Sequence, residues 1–97
     1  MRLLPEYLES IRNGRKKSTI RIGRRVVRGN KLIFDSSNSM LQVAVKQVRY
    51  KKFSEFDEED AHKDGFNSLV ELREAVKAIY PDIKDSSRMT IIEFDLV

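Results

Sequence analysis

The chain has no cysteine, no tryptophan, a single histidine, two prolines and four glycines among its 97 residues. Without cysteine there is no disulfide scaffold and no thiolate metal site. His62 stands between Asp60 and Asp64, but one imidazole with carboxylates is a poor donor set for a metal. It also cannot supply a Ser-His-Asp arrangement, and four glycines do not make a phosphate-cradling loop. No cofactor and no metal are expected. No stretch approaches the roughly 20 apolar residues of a membrane-spanning helix. Met1 to Leu8 has no apolar run of the signal-peptide kind. A cytoplasmic location, without a membrane partner, is the expectation.

What is there is enough for one domain, residues 1–97, taken as a monomer. A chain of this size buries roughly 60–70% of the surface its unfolded form exposes, so it folds alone with a small margin. Hydrophobic residues make up 40% and charged residues 35%, polar for a globular domain but not disordered in character. The net charge of +4 is unevenly spread. Arg12, Arg15, Lys16, Lys17, Arg21, Arg24, Arg25, Arg28 and Lys31 share one window that has no acid. Glu55, Asp57, Glu58, Glu59, Asp60 and Asp64 crowd a second window, with Lys63 as its one Lys or Arg. The basic window suits an anionic partner, RNA or a nucleotide.

Periodicity orders the elements. Leu4, Leu8 and Ile11 fall at i, i+4 and i+7, a helical stripe that Pro5 can start and Asn13-Gly14 can end. Ser18 to Ile22 and Lys31 to Asp35 read as strands, and Ser36-Ser37-Asn38-Ser39 as a turn. Met40 to Phe53 is a longer strand whose apolar phase changes after Val45, which predicts a bulge near Lys46-Gln47. Asp57 to Lys63 is a short helix. A second helix carries Leu69, Leu72, Val76 and Ile79 and stops at Pro81. Met89 to Leu96 closes as a strand with Ile92, Phe94 and Leu96 inward and Glu93 and Asp95 outward. The sum is α+β: a small, curled, mostly antiparallel barrel with three short helices at its ends. Its predicted core is Ile20, Ile22, Leu32, Phe34, Val43, Val45, Ile92 and Phe94.

The informative run is Gly14-Arg15-Lys16-Lys17-Ser18-Thr19-Ile20-Arg21, of the form G-x-K-x-x-T-x-R. Gly14 allows a reversal at the helix end. Thr19 and Arg21 project from one strand face about 6.6–6.8 Å apart, and Lys16 precedes them across the turn. A hydroxyl, an ammonium and a guanidinium can thus converge on one cleft, fit for a phosphate or a polar base edge.

This run resembles the ASCH domain family, a branch of the PUA-like barrels. The resemblance extends to Asp64-Gly65-Phe66, Ser68 and Glu71-Leu72, which match D-G-F-x-S-x-x-E-L, and to the closing strand Thr90 to Leu96. It implies a PUA-like barrel and an RNA-linked role. Some members are enzymes, among them an acetylcytidine amidohydrolase of similar size and a ribonuclease. The lysine and threonine of the amidohydrolase fall on Lys16 and Thr19. The place of its glutamate falls on Gly65, with Asp64 beside it as the nearest acid. The expected function is an RNA- or nucleotide-binding module with a basic cleft formed by Lys16, Thr19, Arg21, Arg24, Arg25, Arg28 and Glu71. The alternative is a small hydrolase of a modified nucleoside or of RNA, with Lys16, Thr19 and Asp64 as its catalytic set. Tyr50 and Phe66 are the aromatic candidates for stacking on a base.

Overall fold

The computed structural model describes residues 1–97. Helix α1 (Pro5–Arg12) leads into strand β1 (Ser18–Ile22), then β2 (Lys31–Ser36) and β3 (Ser39–Lys52). A single 3-10 turn (Phe53–Glu55), α2 (Glu58–Lys63), α3 (Leu69–Ile79) and β4 (Arg88–Leu96) complete the chain. Pro5 sits in the first turn of α1, where its missing N–H costs no helical bond. Asp57 and Asp60 cap α2 reciprocally, each carboxylate accepting the other's backbone N–H. Ser68 caps α3 by accepting from the Glu71 N–H at 3.2 Å.

All four strands pair antiparallel in the order β1-β4-β3-β2. The last strand of the sequence is therefore inserted between the first and third. The β3–β4 register shifts between Val45 and Gln47, where the apolar phase changes, and Lys46 is the extra residue of the bulge. The sheet curls into a half-barrel rather than a closed one. Its edges, β1 and β2, do not pair with each other. The N-terminal segment stands between them: Arg2 bridges to Asp35 on β2, and Arg21 on β1 donates to the Arg2 carbonyl at 3.1 Å.

Helices cover both faces, so the core divides. Ile20, Met89 and Ile91 of the sheet pack with Phe53, Phe56, Ala61 of α2, and Leu72 and Val76 of α3. Leu8 and Ile11 of α1 pack with Phe34, Val43 and Phe94. Of the predicted core, Ile20, Phe34, Val43, Ile92 and Phe94 are buried, and Ile22, Leu32 and Val45 are partly buried.

Strand β4 departs from simple alternation. A sheet exposed on one face would alternate, but β4 is buried continuously from Met89 to Phe94. Glu93, expected outward, is only 6% exposed, and Leu96, expected inward, is 48% exposed. The reason is α2, which lies over the Glu93 face. Lys63 of α2 donates to Glu93 at 3.0 Å and Arg49 of β3 at 2.7 Å. No helix is long and apolar enough to cross a membrane.

Candidate functional site

The open edge of the half-barrel holds a cavity of about 380 Å³, within the range of small-molecule and cofactor sites. Lys16, Thr19, Arg21 and Asp64 all line it, together with Arg2, Tyr7, Phe66 and Tyr80. The rest of its wall is apolar and comes from the N-terminal segment, β1 and α3.

Each polar group is placed by local structure. The C-terminal end of α1 holds the turn, because the Arg15 and Lys16 N–H groups both donate to the Ser10 carbonyl at 3.0 Å. The Lys17 N–H then donates to the Lys63 carbonyl at the end of α2. This stitches residues 16–18 to the segment that carries Asp64. Gly65 has φ +93°, and a Cβ there would sit 3.4 Å from the Lys16 Cβ. Only glycine takes that backbone readily. A glutamate at position 65 would therefore strain this loop as it stands.

Lys16 Nζ donates to Asp64 Oδ1 at 3.0 Å and to the Asp64 carbonyl at 3.4 Å. Ser18 Oγ donates to the same Oδ1 at 3.1 Å. Asp64 Oδ2 takes no protein hydrogen bond. Burial pushes the Asp64 carboxyl above its ordinary value, and the attraction and hydrogen bonds of Lys16 and Ser18 only partly oppose it. Lys16 Nζ also lies 5.2 Å from the Tyr7 ring centre. The Tyr7 phenol is pushed up by burial, with Glu6 and Asp64 adding to the effect.

Arg21 Nη1 donates to Thr19 Oγ1 at 2.6 Å and to the Ile20 carbonyl at 3.0 Å. Thr19 thus accepts from Arg21 and keeps its own proton for another acceptor. Burial lowers the Arg21 pKa, which Tyr80 and Asp64 counter.

Not every candidate comes to this cavity. Glu71 does not line it; it falls off the buried stripe of Leu72 and Val76 on α3 and is exposed. Arg24, Arg25 and Arg28 are exposed on the β1–β2 connection, outside the cavity. Phe66 lines it and Tyr50 does not: the Tyr50 hydroxyl donates to the Arg25 carbonyl at 2.9 Å, and Arg24 lies over its ring. Arg2, Tyr7 and Tyr80 went unread in the sequence. Tyr7 stands in the first turn of α1, off the Leu4-Leu8-Ile11 stripe that marked the helix. Tyr80 precedes Pro81, which disfavours helical backbone there, and it leaves α3 with φ −122° and ψ 79°.

A curled antiparallel half-barrel with helices on both faces and a mixed cavity at its open edge defines the class of fold. The chain belongs to the ASCH domain family, which matches residues 3–97. Its structure is similar to that of the hypothetical protein PH0355, with TM-score 0.78 and 25% identity over 100% of this chain and 96% of that one. It is also similar to the ASCH domain from Lactobacillus crispatus JV V101, with TM-score 0.77 and 13% identity over 91% of this chain and 68% of that one. A mutant ASCH protein from Zymomonas mobilis gives TM-score 0.68 and 12% identity over 98% and 66%. No curated protein matches the sequence.

Proposed function

We propose that this domain binds single-stranded RNA, or a nucleotide, by taking one unstacked base into the cavity at the β1 edge. The observation that carries the reading is the layout of that cavity. Apolar and aromatic side chains form most of the wall, and Lys16, Thr19, Arg21 and Asp64 gather with them. Donors (the Thr19 hydroxyl, the remaining proton of Lys16) stand near an open acceptor, Asp64 Oδ2. Adjacent donors and acceptors are what a base edge presents, and flat rings are what a base stacks on. Three cations, Arg2, Lys16 and Arg21, face the single acid, so an anionic ligand is favoured. Titration of labelled single-stranded RNA and of unlabelled nucleosides tests this. The expected result is RNA binding that Arg21→Leu weakens at least tenfold. Equal affinity in wild type and variant would contradict it.

A hydrolase is the second reading, favoured by one observation: a lysine, a threonine and an acid share the cavity. Attack by Thr19 on an acyl carbon requires its hydroxyl to lose a proton to a base. The one side chain bonded to that oxygen is Arg21, itself a donor. The binding reading needs no such step and is preferred. Release of acetate from acetylcytidine, abolished by both Lys16→Met and Thr19→Val, would reverse the preference.

A further inference from the structure

We propose that Arg24, Lys52 and Arg88, gathered around Tyr50, form a second site that holds a backbone phosphate of the RNA strand whose base enters the cavity. The proposal rests on the RNA reading above. A small pocket of about 80 Å³ is lined by Arg24, Tyr50, Lys51, Lys52, Glu55 and Arg88. It is well below the range of small-molecule sites.

Four of its six lining residues are cations, and their charges are not equally free. Lys51 is spent, since its Nζ donates to Asp60 at 2.6 Å and lies 3.5 Å from Asp57. Arg24, Lys52 and Arg88 have no carboxylate within ion-pair distance. Glu55 is the one acid present, and its Oε1 accepts from the Lys52 backbone N–H at 2.7 Å.

Lys52 and Arg88 are direct partners across the β3–β4 ladder. Like charges placed opposite one another destabilise a sheet. Here a third cation joins them in the same pocket, and only Glu55 offsets the set. A phosphate would turn this repulsion into attraction.

The third cation is held in place. Arg24 stacks over the Tyr50 ring, 4.5 Å from its centre, and the Tyr50 hydroxyl is fixed on the Arg25 carbonyl. Thr90 pins the same loop, donating to the Gly23 carbonyl at 2.6 Å and accepting from the Arg25 N–H at 2.8 Å. A stacked guanidinium loses little freedom when it takes up a phosphate.

The register ties the two sites together. Arg21, which lines the cavity, pairs with Thr90, and Thr90 pairs with Tyr50. Two strand spacings separate Arg21 from Tyr50, about 9–10 Å. A single strand at ~3.4 Å or more per nucleotide spans that distance easily.

The test compares wild type with the double variant Lys52→Gln, Arg88→Gln. RNA affinity is measured as a function of salt, binding of an uncharged nucleoside is measured beside it, and the melting temperature is recorded. The expected variant has a log–log salt slope shallower by about 0.7, the value for one phosphate no longer neutralised. Its nucleoside affinity is unchanged, and its melting temperature is equal or higher because the like-charge pair is gone. RNA bound by both proteins with the same slope would overturn the phosphate site and leave the cavity reading standing. Wild type that binds the nucleoside but not RNA would do the same. Wild type that binds neither would overturn both.

Discussion

Two clusters of buried charge lie in this small domain, and they differ in how completely they are paired. Between β3, β4 and α2, Asp60 and Glu93 meet Arg49, Lys51 and Lys63. Arg49 bridges the two acids at 2.9 and 2.7 Å, Lys51 completes Asp60, and Lys63 completes Glu93. Burial alone would raise both carboxyls, but their hydrogen bonds and cations outweigh it, and both lie below their ordinary values. At the cavity, Asp64 has one lysine, one serine and an open oxygen. There burial wins, and the carboxyl is raised. The same residue types therefore do opposite things. The first cluster fastens α2 to the sheet. The second holds a carboxylate with one oxygen paired to Lys16 and Ser18 and the other open to the cavity.

The sharpest way to break that contrast is to remove each acid's charge in turn. Asp60→Asn is expected to destabilise the fold by about 2–3 kcal/mol, because it weakens charged hydrogen bonds to Arg49 and Lys51, which stay partly solvated. Asp64→Asn is expected to cost about 3 kcal/mol or more, because the amide still accepts a hydrogen bond but leaves the Lys16 ammonium, 5% exposed, without its counter-charge. Urea denaturation measures both. A loss at Asp64 well below that at Asp60 would mean that Lys16 does not depend on this carboxylate. RNA binding should be weakened at least tenfold by Asp64→Asn and little changed by any Asp60 variant that stays folded.

Acid gives the second test. Asp60 and Glu93 have lowered pKa values in the fold, so the unfolded chain binds more protons as pH falls below the ordinary carboxylate range. Their stabilisation is present above that range and is lost through their lowered values. Asp64, with a raised value, does the reverse. The folded chain takes up a proton there first, so its penalty is relieved as pH falls towards the ordinary value. Stability measured against pH should therefore decline more steeply on the acid side in Asp64→Asn and more gently in Asp60→Asn.

The smallest expected effect concerns the exposed arginines. Arg24→Ala, Arg25→Ala and Arg28→Ala together should flatten the salt slope of RNA binding by about 0.7 for each phosphate they neutralise in the wild type, with little change in stability. An unchanged slope would mean that this loop does not meet the nucleic acid.

Much of the frame was legible in the residues. Period-2 spacing gave all four strands, the phase break after Val45 gave the bulge, and Pro5 and Pro81 bounded helices. The motif also brought Lys16, Thr19 and Arg21 to one place. Other features were hidden by sequence distance. The Lys16–Asp64 bond joins residues 48 apart, and nothing local fixes it. Glu71 looked like a site residue by motif, but on α3 it falls off the buried stripe of Leu72 and Val76 and lies outside. Glu93 read as an outward strand residue because the sequence does not say that α2 will cover that face. Arg2, Tyr7 and Tyr80 reach the cavity only because the half-barrel is left open between β1 and β2.

Uptake of a base by the β1-edge cavity can be followed in the amide chemical shifts of the ¹⁵N-labelled chain as single-stranded RNA is added. Base uptake predicts shifts concentrated at Tyr7, Lys16, Thr19, Arg21, Asp64 and Phe66, with a weaker set at Arg24 and Arg88. Shifts confined to α2 and β2, or none at saturating RNA, would contradict it.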